Sequence, residues 1–473
     1  MPPTTEPVAT TMPEAPTAEP VAAETPALAG QWQGKIALPG AGLEILVALA
    51  EQDGVWSGTI DVPAQGAAGI PLHDISVEGD AVKFQMLSGP QLAAFDGQVQ
   101  PDGSIRGAFT QSGFEGTFEL ARPQEPTAAE PLPYVAEEVT FQNGDITLAG
   151  ALTLPEGDGP FPALILLSGS GQQDRDEALS IVPGYRPFAE IADTLTRQGI
   201  AVLRYDDRGV GGSTAGDLAT VSSADFADDA EAALRFLQGR ADIDSQQIGF
   251  LGHSEGGILA AMVAARNPDV AFVISMAGTA VNGYETVLKQ VERLALASGA
   301  SPAEAAANVE KQRQVLDLVL AQDWDGLETM VNAIVEEQVA ALPEEQLAAM
   351  GGKDALVQQQ AAAQLQALQS PWYQYFLSHD PGQDWAQVAA PVLGLYGGND
   401  AQVDAEQNTA ALEAALQSVG NTDVTIQVLP TANHLFQEAV TGGVDEYATL
   451  PPQLMPEFLQ AVSQWLLARV QLP

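Results

Sequence analysis

The pentapeptide Gly252-His253-Ser254-Glu255-Gly256 constrains the fold more than any other stretch of this chain, because of what flanks it. Before it runs Ile248-Gly249-Phe250-Leu251, short and apolar like a buried strand. After it runs Gly257-Ile258-Leu259-Ala260-Ala261-Met262-Val263-Ala264-Ala265, which reads as a buried helix. A serine wedged between strand and helix sits on a sharp, strained turn. The residues two before and two after it approach closely, so glycine is wanted at both places. The turn holds the hydroxyl above the sheet edge, and the helix N-terminus offers backbone N–H groups to a developing oxyanion.

Such a serine needs a base, and the chain has four histidines. His73 lies in a separate N-terminal region. His253 adjoins the serine, but alternation along the incoming strand turns it away from the hydroxyl. His379 stands ahead of any candidate acid. His434 follows the strand-like Val424-Thr425-Ile426-Gln427-Val428-Leu429-Pro430 and occupies the loop Thr431-Ala432-Asn433-His434. The acid is expected between serine and base. Pro391-Val392-Leu393-Gly394-Leu395-Tyr396 reads as a strand, and Gly397-Gly398-Asn399-Asp400 follows its C-terminal end. Asp400 would orient the imidazole and stabilise the imidazolium. Asp404 competes, although its plain reading is an acidic N-cap of the next helix. The order Ser254, Asp400, His434 is that of the α/β-hydrolase architecture.

Two loops fit the same scheme. Ala163-Leu164-Ile165-Leu166-Leu167, a buried strand, runs into Ser168-Gly169-Ser170-Gly171-Gln172-Gln173-Asp174-Arg175-Asp176. Glycine there lets backbone N–H groups face a reacting carbonyl. Ser170, with Gly171 as the alternative, is expected to complete an oxyanion hole with the N–H of Glu255. No Gly-Lys-Ser/Thr follows, so the loop is not a phosphate cradle. Asp206-Asp207-Arg208-Gly209-Val210-Gly211-Gly212-Ser213 reads as a bracing loop beside the site.

On these residues, the region from 134 to 473 resembles an α/β-hydrolase serine esterase. More narrowly it resembles bacterial carboxylesterases with a Gly-Ser-Gly-x-x-Asp-Arg-Asp loop and a long helical lid. The loop here has Gln172 where such loops carry proline, which leaves the choice of oxyanion donor open. The resemblance implies an α/β fold: a mostly parallel eight-stranded sheet with flanking helices and an all-helical lid. It does not imply a substrate, since one fold and one triad serve many acyl transfers.

Ahead of this region, residues 30–122 alternate at period two. Lys35–Leu38, Leu43–Leu49, Val55–Ile60, Ala81–Met86, Ala93–Val99, Ser104–Phe109 and Phe114–Leu120 are strand-like, with turns at Asp53-Gly54, Glu78-Gly79-Asp80 and Asp102-Gly103. Seven or eight antiparallel strands imply a small barrel or sandwich. Its opening Gly30-Gln31-Trp32 resembles a lipocalin-like start. A packing module shielding the catalytic domain is the expected role, a ligand-binding device the other. Residues 1–29, rich in Pro, Thr, Ala and Glu, read as a disordered tether. They lack the basic start and apolar run of a signal peptide. They are similar to the tether of an exported bacterial lipoprotein, so export is expected, with a cytoplasmic location the alternative. A linker spans 123–133. Residues from about 283 to 385, rich in Ala, Gln, Leu and Glu at helical period, interrupt the strand–helix alternation and are expected to form the lid over Ser254. Trp372, Tyr373, Tyr375 and Phe376 are candidate acyl-pocket residues or ordinary helix packing.

Composition bounds the rest. The formal net charge of −44 argues against nucleic acid and anionic membranes, and favours a neutral or cationic substrate. Five lysines among 62 acidic residues fit either a salt-adapted or an ordinary secreted acidic protein. Without cysteine there is no disulfide, no thiolate metal site and no cysteine nucleophile. No apolar run is long enough to span a membrane. The expectation is a serine carboxylic-ester hydrolase acting on a small-molecule ester through Ser254, His434 and Asp400, with neither metal nor organic cofactor. A serine peptidase or thioesterase on the same residues, or a non-catalytic cell-surface binding protein, are the alternatives. Acyl length and oligomeric state are left open.

Overall fold

The N-terminal alternation closes on itself. The computed structural model describes residues 28–38, 41–52, 54–62, 67–88, 91–111, 114–122, 132–179, 181–343, 347 and 352–473. The chain divides into two compact units, Met1–Pro131 and Leu132–Pro473. The tether over 1–27, most of the linker and Gly351 lie outside the described residues.

In the first unit, β1 (Gly30–Leu38), β2 (Ala41–Gln52), β3 (Val55–Val62), β4 (Ala67–Glu78), β5 (Ala81–Ser88), β6 (Gln91–Val99), β7 (Ile105–Gln111) and β8 (Phe114–Ala121) form a closed antiparallel barrel. Closure comes from β1 pairing with β8, with Ile36 opposite Phe118. Closing the sheet removes the free edges that a sandwich would keep. One face of each strand points inward, and these side chains fill the interior. Ile36, Val47, Ile60, Phe84, Phe95 and Phe118 are all buried. The Phe84 and Phe95 rings stack at 4.6 Å, and Phe118 meets Phe95 edge-on at 5.2 Å. β4 is the strand absent from the seven read in the sequence. It carries Pro71, its pairing with β5 shifts register between His73 and Ser76, and Asp74 has φ +49°, so clean alternation is lost.

The second unit holds an eight-stranded sheet of order β16-β15-β14-β13-β11-β12-β10-β9. Its strands are β9 (Tyr134–Asn143), β10 (Ile146–Pro155), β11 (Phe161–Leu167), β12 (Ala201–Tyr205), β13 (Ile243–His253), β14 (Val273–Met276), β15 (Val392–Gly397) and β16 (Val424–Leu429). From β12 to β16 the pairings are parallel, while β10 runs antiparallel to β12 and β9 antiparallel to β10. Parallel strands covered on both faces read as unbroken apolar runs, and every residue of β11 and of β15 is buried. Period two sorts them. Ala163, Ile165 and Leu167 of β11 face one core with α2 (Ser223–Gln238) and α3 (Glu255–Arg266). Leu164 and Leu166 face the other with α1 (Pro187–Thr196) and the C-terminal helix Pro456–Leu467. The hairpin of β9 and β10, turning at Gly144 with φ +57°, was not foreseen, because β9 is half-exposed and its alternation is shallow.

Between β14 and β15 six helices are described: α4 (Gly283–Ala297), α5 (Pro302–Ala321), α6 (Trp324–Ala340), α7 (Lys353–Leu368), α8 (Pro371–Ser378) and α9 (Pro381–Trp385). Five begin on a side chain that accepts a hydrogen bond from the first turn. Asn282, Ser301, Asp323, Ser370 and Asp380 accept in this way, satisfying donors that a helix start otherwise leaves orphaned. The insertion has its own core, with Leu316, Val319, Leu327, Val331, Val335 and Leu377 buried. Among the described residues no helix is long and apolar enough to cross a membrane.

Candidate active site

Ser254 sits between β13 and α3 with φ +52° and ψ −115°, a left-handed conformation that costs a non-glycine residue of order 1–3 kcal/mol. The glycines around it are required by contact. A Cβ on Gly252 would lie 2.0 Å from the Gly256 carbonyl oxygen, and one on Gly256 would lie 2.1 Å from that of Leu167. The turn therefore packs directly against the end of β11, where the loop beginning at Ser168 starts. A Cβ on Gly169 would stand 3.4 Å from the Ser254 Cβ, so that loop passes beside the serine.

His434 lies in the loop after β16, buried, with Nδ1 2.8 Å from Oδ2 of Asp400. Asp400 follows β15 and is fully buried. Its other oxygen accepts the N–H groups of Gln402 at 2.7 Å and Val403 at 2.8 Å. With Nδ1 of His434 directed at the carboxylate, Nε2 is the ring nitrogen left to act as base. Asp404 goes elsewhere. It caps the helix Ala405–Ser418 by accepting from the Gln407 N–H at 2.9 Å, and stands 3.4 Å from Arg293. Among the described residues the Ser254 hydroxyl makes no hydrogen bond, to His434 or otherwise.

Asn433 builds the turn that carries His434. Its Oδ1 accepts from Leu435 N–H at 3.0 Å and Gln437 N–H at 2.9 Å, while Nδ2 donates to Gln437 Oε1 at 3.1 Å. Of the remaining histidines, His379 pairs with Asp384 at 2.6 Å and stacks on Tyr375, and His73 lies in β4 of the other unit.

The Ser168–Asp176 loop is held from beneath. The Ser168 hydroxyl donates to Asp207, and the Gln173 N–H donates to Asp207 Oδ2 at 2.9 Å. The Gln172 side chain donates to the Arg208 carbonyl at 2.9 Å, so an amide anchors the loop where proline was expected. Arg175 forks onto Asp206, and Arg208 onto the buried Asp229, which gives the charges of the Asp206–Ser213 loop their bracing role. The Gly169 N–H is spent on Glu177 Oε1 at 2.7 Å. The Ser170 and Gly171 N–H groups remain as candidates beside the Glu255 N–H, which opens α3.

Three features escaped sequence reasoning. Burial pushes the Asp207 carboxyl up to about 8, against the hydrogen bonds it accepts. Glu255, also raised by burial, accepts from Ser223 Oγ at 2.6 Å and from the Trp372 indole N–H at 2.8 Å, tying α8 of the insertion to the residue after the serine. The His253 ring lies 4.8 Å from that of His434 and bonds to Glu177. Each joins residues more than 30 positions apart, a distance at which strand and helix periods carry no signal.

A family model described as serine aminopeptidase, S33, matches residues 181–323, a span that includes Ser254 and Glu255 but neither Asp400 nor His434. Esterase EstD of Thermotoga maritima is 27% identical over 338 residues, covering 71% of this chain and 67% of that protein. An uncharacterized protein of Mycobacterium tuberculosis is 29% identical over 149 residues, and the chain spans about half of it, 48%. Among solved structures, a Pyrococcus furiosus esterase aligns at 15% identity with TM-score 0.45, covering 72% of this chain and 93% of that one. The α/β-hydrolase GrgF of a Penicillium species aligns at 17% identity with TM-score 0.42, covering 71% and 99%.

Proposed function

We propose that the Leu132–Pro473 unit, which is similar to esterases and has an α/β-hydrolase sheet, is a serine carboxylic-ester hydrolase working through Ser254, His434 and Asp400. The observation that carries the reading is the buried 2.8 Å contact of His434 with Asp400, formed at the strand ends beside a strained serine turn. In this reading Ser254 attacks the acyl carbon while His434 Nε2 takes its proton. The oxyanion is held by the N–H groups of Glu255 and Ser170. His434 then returns a proton to the leaving alcohol, and water repeats the sequence on the acyl-enzyme. Asp400 stabilises the imidazolium at both stages.

The helices from Gly283 to Trp385 act as the lid, with Trp372 as its attachment to the serine turn. The net charge of −44 disfavours polyanionic substrates, so neutral short to medium acyl esters are the expected class. The match to the aminopeptidase family favours a second reading, in which an amide of an amino acid is cleaved by the same groups. A panel of chromogenic acyl esters, thioesters and aminoacyl amides separates them. Ester turnover at least about a hundredfold above amide turnover supports the esterase, and the reverse order replaces it with the peptidase.

A further inference from the structure

Strand alternation argues against His253 as the base, but the structure gives both of its ring nitrogens partners that belong to the site. Nδ1 lies 2.8 Å from Glu177 Oε1, and Nε2 lies 3.0 Å from the backbone carbonyl of His434 itself. The same Glu177 oxygen accepts the Gly169 N–H at 2.7 Å, one residue before the candidate oxyanion donor Ser170. Both side chains are buried, His253 at 5% and Glu177 at 2% exposure, and among the described residues Glu177 Oε2 has no hydrogen-bond partner. All of the carboxyl group's bonding thus converges on the oxygen shared by the loop and the imidazole. Glu177 is held there at φ +53°, in the left-handed region.

We propose that His253 and Glu177 form a buried positioning dyad that ties the loop carrying Ser170 to the loop carrying His434, setting the spacing of oxyanion donor and base around Ser254. The proposal rests on the reading of Ser254 and His434 as nucleophile and base. Neither member touches substrate; each acts through the backbone of a neighbour. Proton placement makes the two bonds interdependent. A carbonyl oxygen only accepts, so Nε2 of His253 carries a proton. The Nδ1–Oε1 contact then needs one more, resident on the imidazole or on Glu177. Burial opposes charge on His253, but Glu177, the His434 carbonyl and the Asp400 charge together outweigh it and raise the imidazole above its ordinary pKa, which favours the ring as the site of that proton. With an uncharged amide at position 177, a neutral His253 has a single proton to share. If the amide oxygen takes the place of Oε1, that proton must serve either it or the His434 carbonyl; if the amide nitrogen takes it, Nδ1 can accept but the Gly169 N–H faces a donor, so either way one tie is lost.

The test compares Glu177→Gln, His253→Leu and His253→Gln in the full chain. Folding is checked by circular dichroism and melting. The rates read are kcat and KM on a chromogenic butyrate ester and the rate of Ser254 labelling by a fluorophosphonate. His253→Leu and Glu177→Gln are expected to lower kcat and labelling at least about tenfold with KM within about twofold, since displacements near 1 Å cost up to about a hundredfold in rate. His253→Gln should recover a large part, because its amide nitrogen can occupy the Nε2 position and donate to the His434 carbonyl. Rates within about twofold of wild type in folded His253→Leu, a change confined to KM, or a Gln variant no better than Leu would each overturn the proposal. If His253→Leu does not fold, the near-isosteric Glu177→Gln decides by the same rates. A wild-type chain that labels but cleaves no ester removes the esterase reading and leaves the dyad to be judged on labelling. One that neither labels nor turns over removes both.

Discussion

Two aspartates four residues apart follow β15, and their partners separate their roles. Asp400 faces His434 with one oxygen and two backbone N–H groups with the other, whereas Asp404 caps a helix. Asp400→Asn is expected to lower kcat by several powers of ten, because an amide leaves the imidazole in the wrong tautomer. Asp404→Asn should leave kcat near wild type, since asparagine caps as well as aspartate. Steady-state kinetics of the two variants checks this, and equal losses would contradict the assignment. Asp207 bears on stability instead. Its folded pKa, about 8, lies above the ordinary aspartate value of about 4. The folded state is therefore favoured fully below pH 4, and that contribution is lost as pH rises through 8. Asp207→Asn keeps a donor and an acceptor for Ser168 and Gln173 but cannot ionise. Its Tm relative to wild type should rise progressively between pH 4 and pH 9, and parallel Tm curves would count against a raised Asp207.

At the scale of elements, the strand ends that carry Ser254, Asp400 and His434 were legible because each follows a short apolar run and precedes glycine, a helix or a turn. The serine turn was legible as well, since its glycines answer to contacts under 2.2 Å that no other residue can make. Gly256→Ala should accordingly abolish soluble folded protein or displace Ser254, seen as loss of phosphonate labelling. The link from Trp372 to Glu255 was not legible, because it crosses between an insertion and the serine turn, 117 positions apart in the chain. Nor was β4, where Pro71 and the bulge near Asp74 break the alternation. Trp372→Phe leaves an aromatic ring to stack on Phe376, 5.6 Å from the indole in the wild type, and removes the N–H to Glu255. If the insertion is the lid, this change should alter KM for longer acyl esters more than for acetate.

At the scale of the molecule, each unit has its own hydrophobic core, the barrel filled by its aromatic cluster and the hydrolase unit by two layers around its sheet. A chain beginning at Leu132 is expected to keep kcat on a small soluble ester within about threefold, because Ser254, His434, Asp400 and both loops lie within residues 132–473. Closed-barrel topology was legible only as barrel or sandwich, since period two reports which face is buried and not which strands meet. The central claim concerns one oxygen atom. Intact-mass measurement after fluorophosphonate treatment, with ester turnover on the same samples, tests it directly. Wild type should gain one phosphonyl adduct, mapped to the peptide holding Ser254, and lose activity in proportion. Ser254→Ala should fold, gain no adduct and fall in kcat by several powers of ten. A labelled or active Ser254→Ala chain would place the chemistry on another residue.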